Sequence, residues 1–318
     1  MLSAWTRKVD KRVLASLACI VLLLLGGSVY SRNFLSLAYL LQQLQVASFL
    51  GIVATGTMIV ILLGHIDLSV PWVVTLGGMM ATAAGGWGRI GGAVAIPFAF
   101  VCGLGMGLVN GIGVAYLRIP SMIFTLGMNA IAQGLMVVHT SGFAPQERAT
   151  PAMHFLSVDR SILGIPNAVW MWVLTGGLAS LLLSRTAFGR RVYAIGNSER
   201  AAYLSRANTK LVIMTCFGIS GACSGLAGML LAGYSTKAYQ AMGDPYLMPA
   251  IAAVVIGGTS ILGGRGTYYG TVTGIIVVTL LQSILSIVQV PEAGRQVIYG
   301  AVILAMLLTY GREEKSSV

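Results

Sequence analysis

The sequence predicts an all-α protein that crosses a membrane about ten times, and three observations lead to that prediction. Hydrophobic residues make up 56% of the chain and charged residues only 9%, whereas charged residues are about 25% of an ordinary soluble domain. The apolar residues stand in continuous runs, unlike the short alternating segments of a membrane β-barrel. Most of the 20 lysines and arginines fall in alternate connections between the runs, as the positive-inside rule requires.

The first five runs are predicted membrane spans. The run 37–63 is longer than the ~20 residues that a bilayer needs, so we expect it to be tilted, or broken near Gly51 or Gly56. The third run follows the turn Gly64–Pro71, where Asp67 or Ser69 can cap a helix that has Pro71 in its first turn. These spans are residues 13–30, 37–63, 69–86, 92–116 and 121–141.

The remaining spans are predicted at residues 168–184, 210–233, 246–262, 267–289 and 296–310. Pro249, Gly257 and Gly258 interrupt the segment 246–262, which is either an eighth span or a re-entrant segment. We therefore predict one membrane domain over residues 13–310. A cytosolic segment, 1–12, precedes it and a cytosolic tail, 311–318, follows it.

Basic residues fix the predicted orientation. The segment 185–210, here called the central loop, faces the cytosol together with both termini, and the polar segment 142–166 faces outward. The central loop sets its basic residues against a single acid, Glu199; the basic residues are Arg185, Arg190, Arg191, Arg200, Arg206 and Lys210. The net charge of +11 then reflects topology in a lipid bilayer, and no nucleic acid partner is expected.

Residues able to perform catalysis do not form a recognisable set. The chain lacks a G-x-x-x-x-G-K-[ST] phosphate loop, and its three histidines lack zinc-ligand spacing. We therefore expect no catalytic residue, no metal site and no cofactor in this chain. No ionisable residue is expected in the middle of a span, which argues against ion coupling.

A polar solute would need polar groups within the spans. Neutral amides suit an uncharged solute such as a sugar, and the candidates for a translocation path are Asn110, Asn129, Gln133 and Gln282. The alternative for each is a hydrogen bond between helices.

Three motifs carry a resemblance to a known family. Residues 64–70, GHIDLSV, are similar to G-[GNH]-I-D-L-S-V-G. Residues 189–190 and 194–205 resemble G-R…A-x-G-x-N-x-x-A-A-x-L-S-G, and residues 250–266 resemble A-I-A-A-V-V-L-G-G-T-S-x-x-G-G-x-G. Over residues 35–310 the chain resembles the permease subunits of bacterial ABC importers of the ribose, xylose and branched-chain amino acid superfamily, most of all the sugar permeases. Pro71 and Arg206 stand where that family usually has glycine.

The resemblance implies a type II-like importer permease in the bacterial inner membrane. Its expected partners are a second permease chain, identical or similar, ATP-binding subunits and a periplasmic sugar-binding protein. ATP and magnesium would bind the ATP-binding subunits, so this chain would be a non-catalytic subunit. The expected solute is a monosaccharide; a nucleoside, an autoinducer sugar or a branched-chain amino acid are alternatives, as is a stand-alone carrier or channel.

The resemblance also assigns the central loop to docking of the ATP-binding subunit. Asn197 or Ser198 can cap a short helix over 199–205, in which Ala201, Ala202 and Leu204 would form an apolar knob. The expected docking residues are Gly196, Asn197, Glu199, Ala201, Ala202, Leu204 and Ser205. An accompanying inner-turn motif comprises Asp67, Ser69, Gly263, Gly264 and Arg265. The alternative is a solvated loop whose basic surface faces anionic lipid.

Overall fold

The computed structural model describes residues 11–30, 32–143 and 145–315, with side chains over 16–29, 33–143 and 145–304. The predicted segment 1–12 therefore lies almost entirely outside the described residues, as do the last residues of the predicted tail. The described part is all helical apart from turns. Its α-helices are α1 (Lys11–Tyr30), α2 (Leu37–Leu62), α3 (Val70–Gly85), α4 (Gly91–Ala115), α5 (Ser121–His139), α6 (Pro151–Ser157), α7 (Asn167–Arg185), α8 (Ala187–Asn197), α9 (Glu199–Leu204), α10 (Thr209–Tyr234), α11 (Leu247–Ile256), α12 (Tyr268–Ile287) and α13 (Glu292–Lys315).

Membrane-spanning length separates these helices into two groups. Six helical stretches are long and apolar enough to cross a bilayer. Five of them are α2, α5, α7, α10 and α12, and the sixth is Gly88–Ala115, which includes α4. The apolar parts of α1, α3 and α11 are shorter. The structure thus confirms the all-α, multi-pass architecture, while the count of ten spans and the side of each terminus remain predictions.

Helices α2 and α10 form the centre of the bundle. Their apolar windows are 89% and 72% buried, against 22% for α5. Helix α2 continues without a break through Gly51 and Gly56, so of the two expectations for this span the broken helix is wrong. Helix α10 packs closely on antiparallel α4. The approach is so close that a Cβ on Gly103 would lie 2.3 Å from the carbonyl oxygen of Gly221.

The two ends of α10 define two faces of the molecule. The face at its first residue carries α8 and α9 and is called the α8 face. The face at its last residue carries α6 and the connections before and after it, and is called the α6 face. On the α6 face, the backbone N–H of Ala149 donates to the carbonyl of Thr236 (2.9 Å).

Two short helices begin inside the bundle. Helix α3 starts beside Asp67, whose carboxylate accepts a hydrogen bond from Ser220 near the middle of α10. Helix α11 has 10 residues, or about 15 Å, half of the ~30 Å hydrocarbon thickness. It ends at Ile256 on the side of the α8 face, whereas the chain leaves α10 on the α6 face, so residues 235–257 cross the bundle through a short helix and do not return to the face from which they came.

The connection before α11 also enters the bundle. Its Met242 is 1% exposed, and the N–H of Gly243 donates to Thr75 in α3 (3.2 Å). Residues 234–245 therefore do not form a simple surface turn between α10 and α11.

Candidate coupling site

The central loop folds into two helices joined by one residue. Thr186 begins α8 by accepting a hydrogen bond from the N–H of Gly189 (3.1 Å). Ser198 begins α9 in the same way, with its hydroxyl accepting from the N–H of Ala201 (3.2 Å). The predicted short helix is therefore present. Of the two predicted caps, Ser198 is the cap, while Asn197 is the last residue of α8.

Helix α8 is amphipathic, and so is α9. Val192 and Ile195 are buried against the bundle, whereas Arg190 and Arg191 are exposed. In α9, Ala202 is only 6% exposed. Ala202 therefore belongs to the internal contact of α9. The expectation that it forms part of an exposed apolar knob is wrong.

The exposed apolar surface of α9 comes from other residues. Leu204 is 74% exposed and Tyr203 67%, and Ala201 and Ser205 are exposed beside them. The predicted docking residues include Leu204, Ala201 and Ser205 but not Tyr203. No sequence signal singles out Tyr203, because α9 has only six residues and periodicity needs a longer window to reveal a buried face.

Gly196 joins the central loop to the ends of two other elements. A Cβ on Gly196 would lie 1.9 Å from the carbonyl oxygen of Leu62 in α2 and 2.4 Å from the backbone nitrogen of Gly264. That nitrogen donates to the same Leu62 carbonyl (2.9 Å). Only glycine allows three backbones to meet this closely. The end of α2, the end of α8 and the turn before α12 are thus held as one unit.

Side chains reinforce this junction. The amide of Asn197 donates to the carbonyls of Tyr193 (2.8 Å) and Gly264 (3.3 Å), and the Tyr193 hydroxyl donates to Gly266 (2.9 Å). Burial raises the pKa of Tyr193, so the phenol remains a neutral donor. Gly263 and Gly264 have φ of +91° and +72°, a conformation that favours glycine. Arg265 is exposed.

Glu199 connects α9 to two further elements. It forms an ion pair with Arg118 in the turn between α4 and α5 (2.7 Å), and it accepts a hydrogen bond from Thr209, the first residue of α10 (3.3 Å). A force applied to α9 would therefore reach α4, α5 and α10 as well as α2.

A groove of about 460 Å³ separates α8 from α9. Arg190, Arg191 and Arg206 line it together with small residues such as Ala201. Arg206, which departs from the family pattern, has a φ of +61°. L-residues rarely adopt this conformation, whereas glycine adopts it easily. The backbone alone therefore explains why the family usually has glycine where this chain has Arg206.

Asp67 and Ser69 lie deeper than an inner-turn motif would. Asp67 is 3% exposed and Ser69 is fully buried. The Asp67 carboxylate accepts from the N–H (3.0 Å) and hydroxyl (2.6 Å) of Ser69 and from the hydroxyl of Ser220 (3.2 Å). Within the described part of the chain, no basic residue forms an ion pair with Asp67.

This arrangement corrects two expectations. Ser69 occupies the cap position of α3 but makes no side-chain capping bond, because its hydroxyl donates to Asp67 and accepts from Asn110 (2.7 Å). The expectation that no ionisable residue lies at mid-depth fails at Asp67. Helix α3 begins inside the bundle, and this brings the Asp67 carboxylate inside as well. The pattern of apolar runs in the sequence does not reveal such a start.

The four predicted path residues do not come together. Asn110 is fully buried and held by Ser69, and Asn129 accepts from the N–H of Trp72 (3.3 Å). Gln133 is exposed on α5. Gln282 alone lines a cavity, which lies in the half of the molecule away from α8.

Comparison with known proteins gives consistent matches along most of the chain. Residues 39–307 match the family model described as the permease component of the branched-chain amino acid transport system. The ribose import permease protein RbsC of Escherichia coli (strain K12) is 31% identical over 302 residues, which are 94% of each chain. The autoinducer 2 import system permease protein LsrC of Yersinia enterocolitica is 34% identical over 304 residues, 94% of this chain and 82% of that protein. No solved structure matches.

Proposed function

The chain belongs to the family of permease components of branched-chain amino acid transport systems, and we propose that it is the membrane subunit of an ATP-driven importer of a monosaccharide in the bacterial inner membrane. Separate ATP-binding subunits supply the energy, and a periplasmic binding protein delivers the solute. A second permease chain completes the membrane part.

One observation carries the coupling role. The exposed apolar tip of α9, formed by Tyr203 and Leu204, sits on helices whose backbones touch the ends of α2 and the turn before α12 at Gly196. A partner that pulls or pushes this tip can bias the packing of the central helices. Rigid elements with two packings are how such shifts are transmitted.

The solute class is proposed from two kinds of support. Similar proteins include a ribose permease and an autoinducer 2 permease. The amides and tyrosines of this chain suit hydroxyl groups and the apolar faces of a sugar ring. An autoinducer sugar, a nucleoside or a branched-chain amino acid would use the same machinery.

A second candidate function is an ion-coupled carrier that acts alone. The buried carboxylate of Asp67 favours it, because ionisable residues inside membrane proteins commonly serve coupling ions. Under this alternative, the exposed tip of α9 would need no partner.

Purification from bacterial membranes tests the docking assignment. The chain is expected to co-purify with ATP-binding subunits, and Leu204→Glu is expected to lower their recovery by about tenfold, because a charge replaces a central apolar contact. Ser184→Glu is the matched control, since Ser184 is exposed at the end of α7, outside the two docking helices. Equal recovery with Leu204→Glu and Ser184→Glu, or a chain that purifies alone, would refute the assignment.

A further inference from the structure

A polar cavity lies in the half of the molecule away from α8 and α9, the two helices of the central loop, here called the coupling helices. Its volume is about 470 Å³, within the range of roughly 300–1,000 Å³ that small-molecule sites occupy. The walls come from the first half of α2, the second half of α12, the start of α13 and the connection between α10 and α11. A hydrogen bond between the hydroxyls of Tyr39 and Ser283 joins two of these walls.

The location of the cavity follows from the direction of α2. The last residue of α2, Leu62, contacts Gly264 on the α8 face, so Gln43 near its beginning lies toward the α6 face. The same connection that lines the cavity at Tyr239 and Tyr246 continues to α11, and the turn after α11 contains Gly264, which contacts Leu62 and Gly196. The cavity is therefore adjacent to an element that a movement of the coupling helices would reach.

The uncharged polar groups in the cavity are amides and hydroxyls. Gln43 and Gln282 line it with amides, and the Ser286 hydroxyl donates to the backbone carbonyl of Gln282 (2.8 Å). Glu292 and Arg295 also line it, but their charges face each other at 3.7 Å, and Arg295 donates to the carbonyl of Val290 (3.0 Å). A solute that carries a net charge would find no uncompensated counter-charge here.

One buried wall group lacks a partner. Thr279 is 3% exposed, and its hydroxyl makes no hydrogen bond within the described part of the chain. That oxygen has almost no exposed surface, so the polar groups that a solute in the cavity can reach are the amides. Tyr239 and Tyr246 add aromatic surface on which the CH groups of a sugar ring can rest.

We propose that this cavity is a sugar-binding station on the translocation path, where an uncharged, hydroxyl-rich solute is held by Gln43 and Gln282 against Tyr239. The inference rests on the proposed importer function and adds to it the site at which the solute binds. Binding there precedes passage toward the α8 face.

Vesicles with the complete complex provide the test. They contain this chain, its ATP-binding subunits and its binding protein, and they are supplied with radiolabelled D-ribose, autoinducer 2 or L-leucine. Gln43→Leu and Gln282→Leu are each expected to lower the initial rate of sugar uptake by about tenfold, the effect of one lost hydrogen bond to a bound solute. Gln42→Leu, on the exposed neighbour of Gln43 outside the cavity, is expected to import at the wild-type rate.

An aromatic pair separates solute stacking from folding. Tyr239 is 53% exposed, so its truncation leaves the bundle intact. Tyr239→Ala is expected to raise the KM for the sugar while Tyr239→Phe retains the wild-type KM. ATP hydrolysis without solute should be the same in both variants, because neither touches the coupling helices.

The outcomes distinguish the two levels of the proposal. Wild-type uptake of sugar with unchanged uptake in Gln43→Leu and Gln282→Leu overturns the cavity assignment alone, as does an equal loss in Gln42→Leu. Uptake of L-leucine in place of either sugar overturns the solute class. Failure of the wild-type complex to import any of the three overturns the importer function itself, and the cavity assignment with it.

Discussion

Arg206 shows how a single residue departs from its family pattern at a measurable cost. Its φ of +61° lies in the left-handed region, which costs an L-residue roughly 1–2 kcal/mol relative to glycine. The position directly follows the α9 cap residue Ser205, a common place for a left-handed residue at the end of a helix. The exposed arginine side chain adds positive charge to the groove between α8 and α9, while its backbone is strained.

Replacement of Arg206 should therefore increase stability. Arg206→Gly is expected to raise the free energy of unfolding by up to about 1 kcal/mol, because the relief of strain exceeds the added freedom of the unfolded chain. Thermal unfolding in detergent measures it. Arg200→Gly, inside α9, is the matched control and should lower stability by about 1 kcal/mol. A lower unfolding temperature for Arg206→Gly would contradict the strain assigned to this residue.

Asp67 is the second residue on which the account depends. Its carboxylate satisfies three donors from Ser69 and Ser220, and its truncation leaves them buried without a partner. Asp67→Ala is expected to cost about 1–3 kcal/mol of unfolding free energy, while Asp67→Asn retains one acceptor and costs less.

A double-mutant cycle checks this network. Asp67→Ala and Ser220→Ala should be non-additive by at least about 0.5 kcal/mol, as expected for residues in contact. Thermal or denaturant unfolding of the two single variants and the double variant provides the measurement. Additive effects would show that the Ser220 hydroxyl does not support the start of α3.

At the scale of elements, α8 and α9 act as one piece with the end of α2 and the turn before α12. The contact at Gly196 is the tightest point of this piece, since a Cβ there would overlap the Leu62 carbonyl. Displacement of α8 therefore requires the backbone of α2 or of the turn at Gly264 to move as well.

Gly196→Ala is expected to destabilise the protein by about 1–3 kcal/mol through overpacking and to reduce ATP-dependent uptake. Gly134→Ala is the matched control, because a Cβ on Gly134 in α5 meets no atom within 4 Å. Unfolding temperature and uptake should both be measured for the pair. Equal behaviour of the two variants would rule out the close approach at Gly196.

The sequence predicts the long helices well and the two short helices that begin in the interior poorly. Long apolar runs gave α2, α4, α5, α7, α10 and α12 within a few residues, because length and hydrophobicity alone decide a membrane span. The Ser198 cap followed from local chemistry. The depth of Asp67 and Gly243 did not, because it depends on packing against α10 and α3, which no local pattern encodes.

The same distinction applies to the candidate sites. Sequence motifs predicted the docking residues, and the exposure of Leu204 agrees with that prediction without testing it. Ala202 was included because it is small and apolar, and only the helix register shows that it points inward. Gln282 was selected as a neutral amide in a span, whereas its neighbours across the cavity come from elements distant in sequence.

At the scale of the whole molecule, two long helices each lead into a short helix that begins in the interior. Helices α2 and α10, of 26 residues each, are followed by α3 and α11. Asp67 and Gly243 lie where these short helices begin, the polar cavity lies toward the α6 face, and the docking tip lies on the α8 face. Movement of the short helices relative to α2 and α10 would open one side of the path and close the other.

The dependence of uptake on its energy source tests the central claim most directly. Vesicles that contain this chain, its ATP-binding subunits and its binding protein are compared with vesicles that contain this chain alone. We predict uptake of labelled sugar by the complete complex with ATP, no uptake with ADP, and no uptake by the chain alone under a sodium or proton gradient. Gradient-driven uptake by the chain alone, without ATP or partners, would contradict the account and identify Asp67 as a candidate coupling residue.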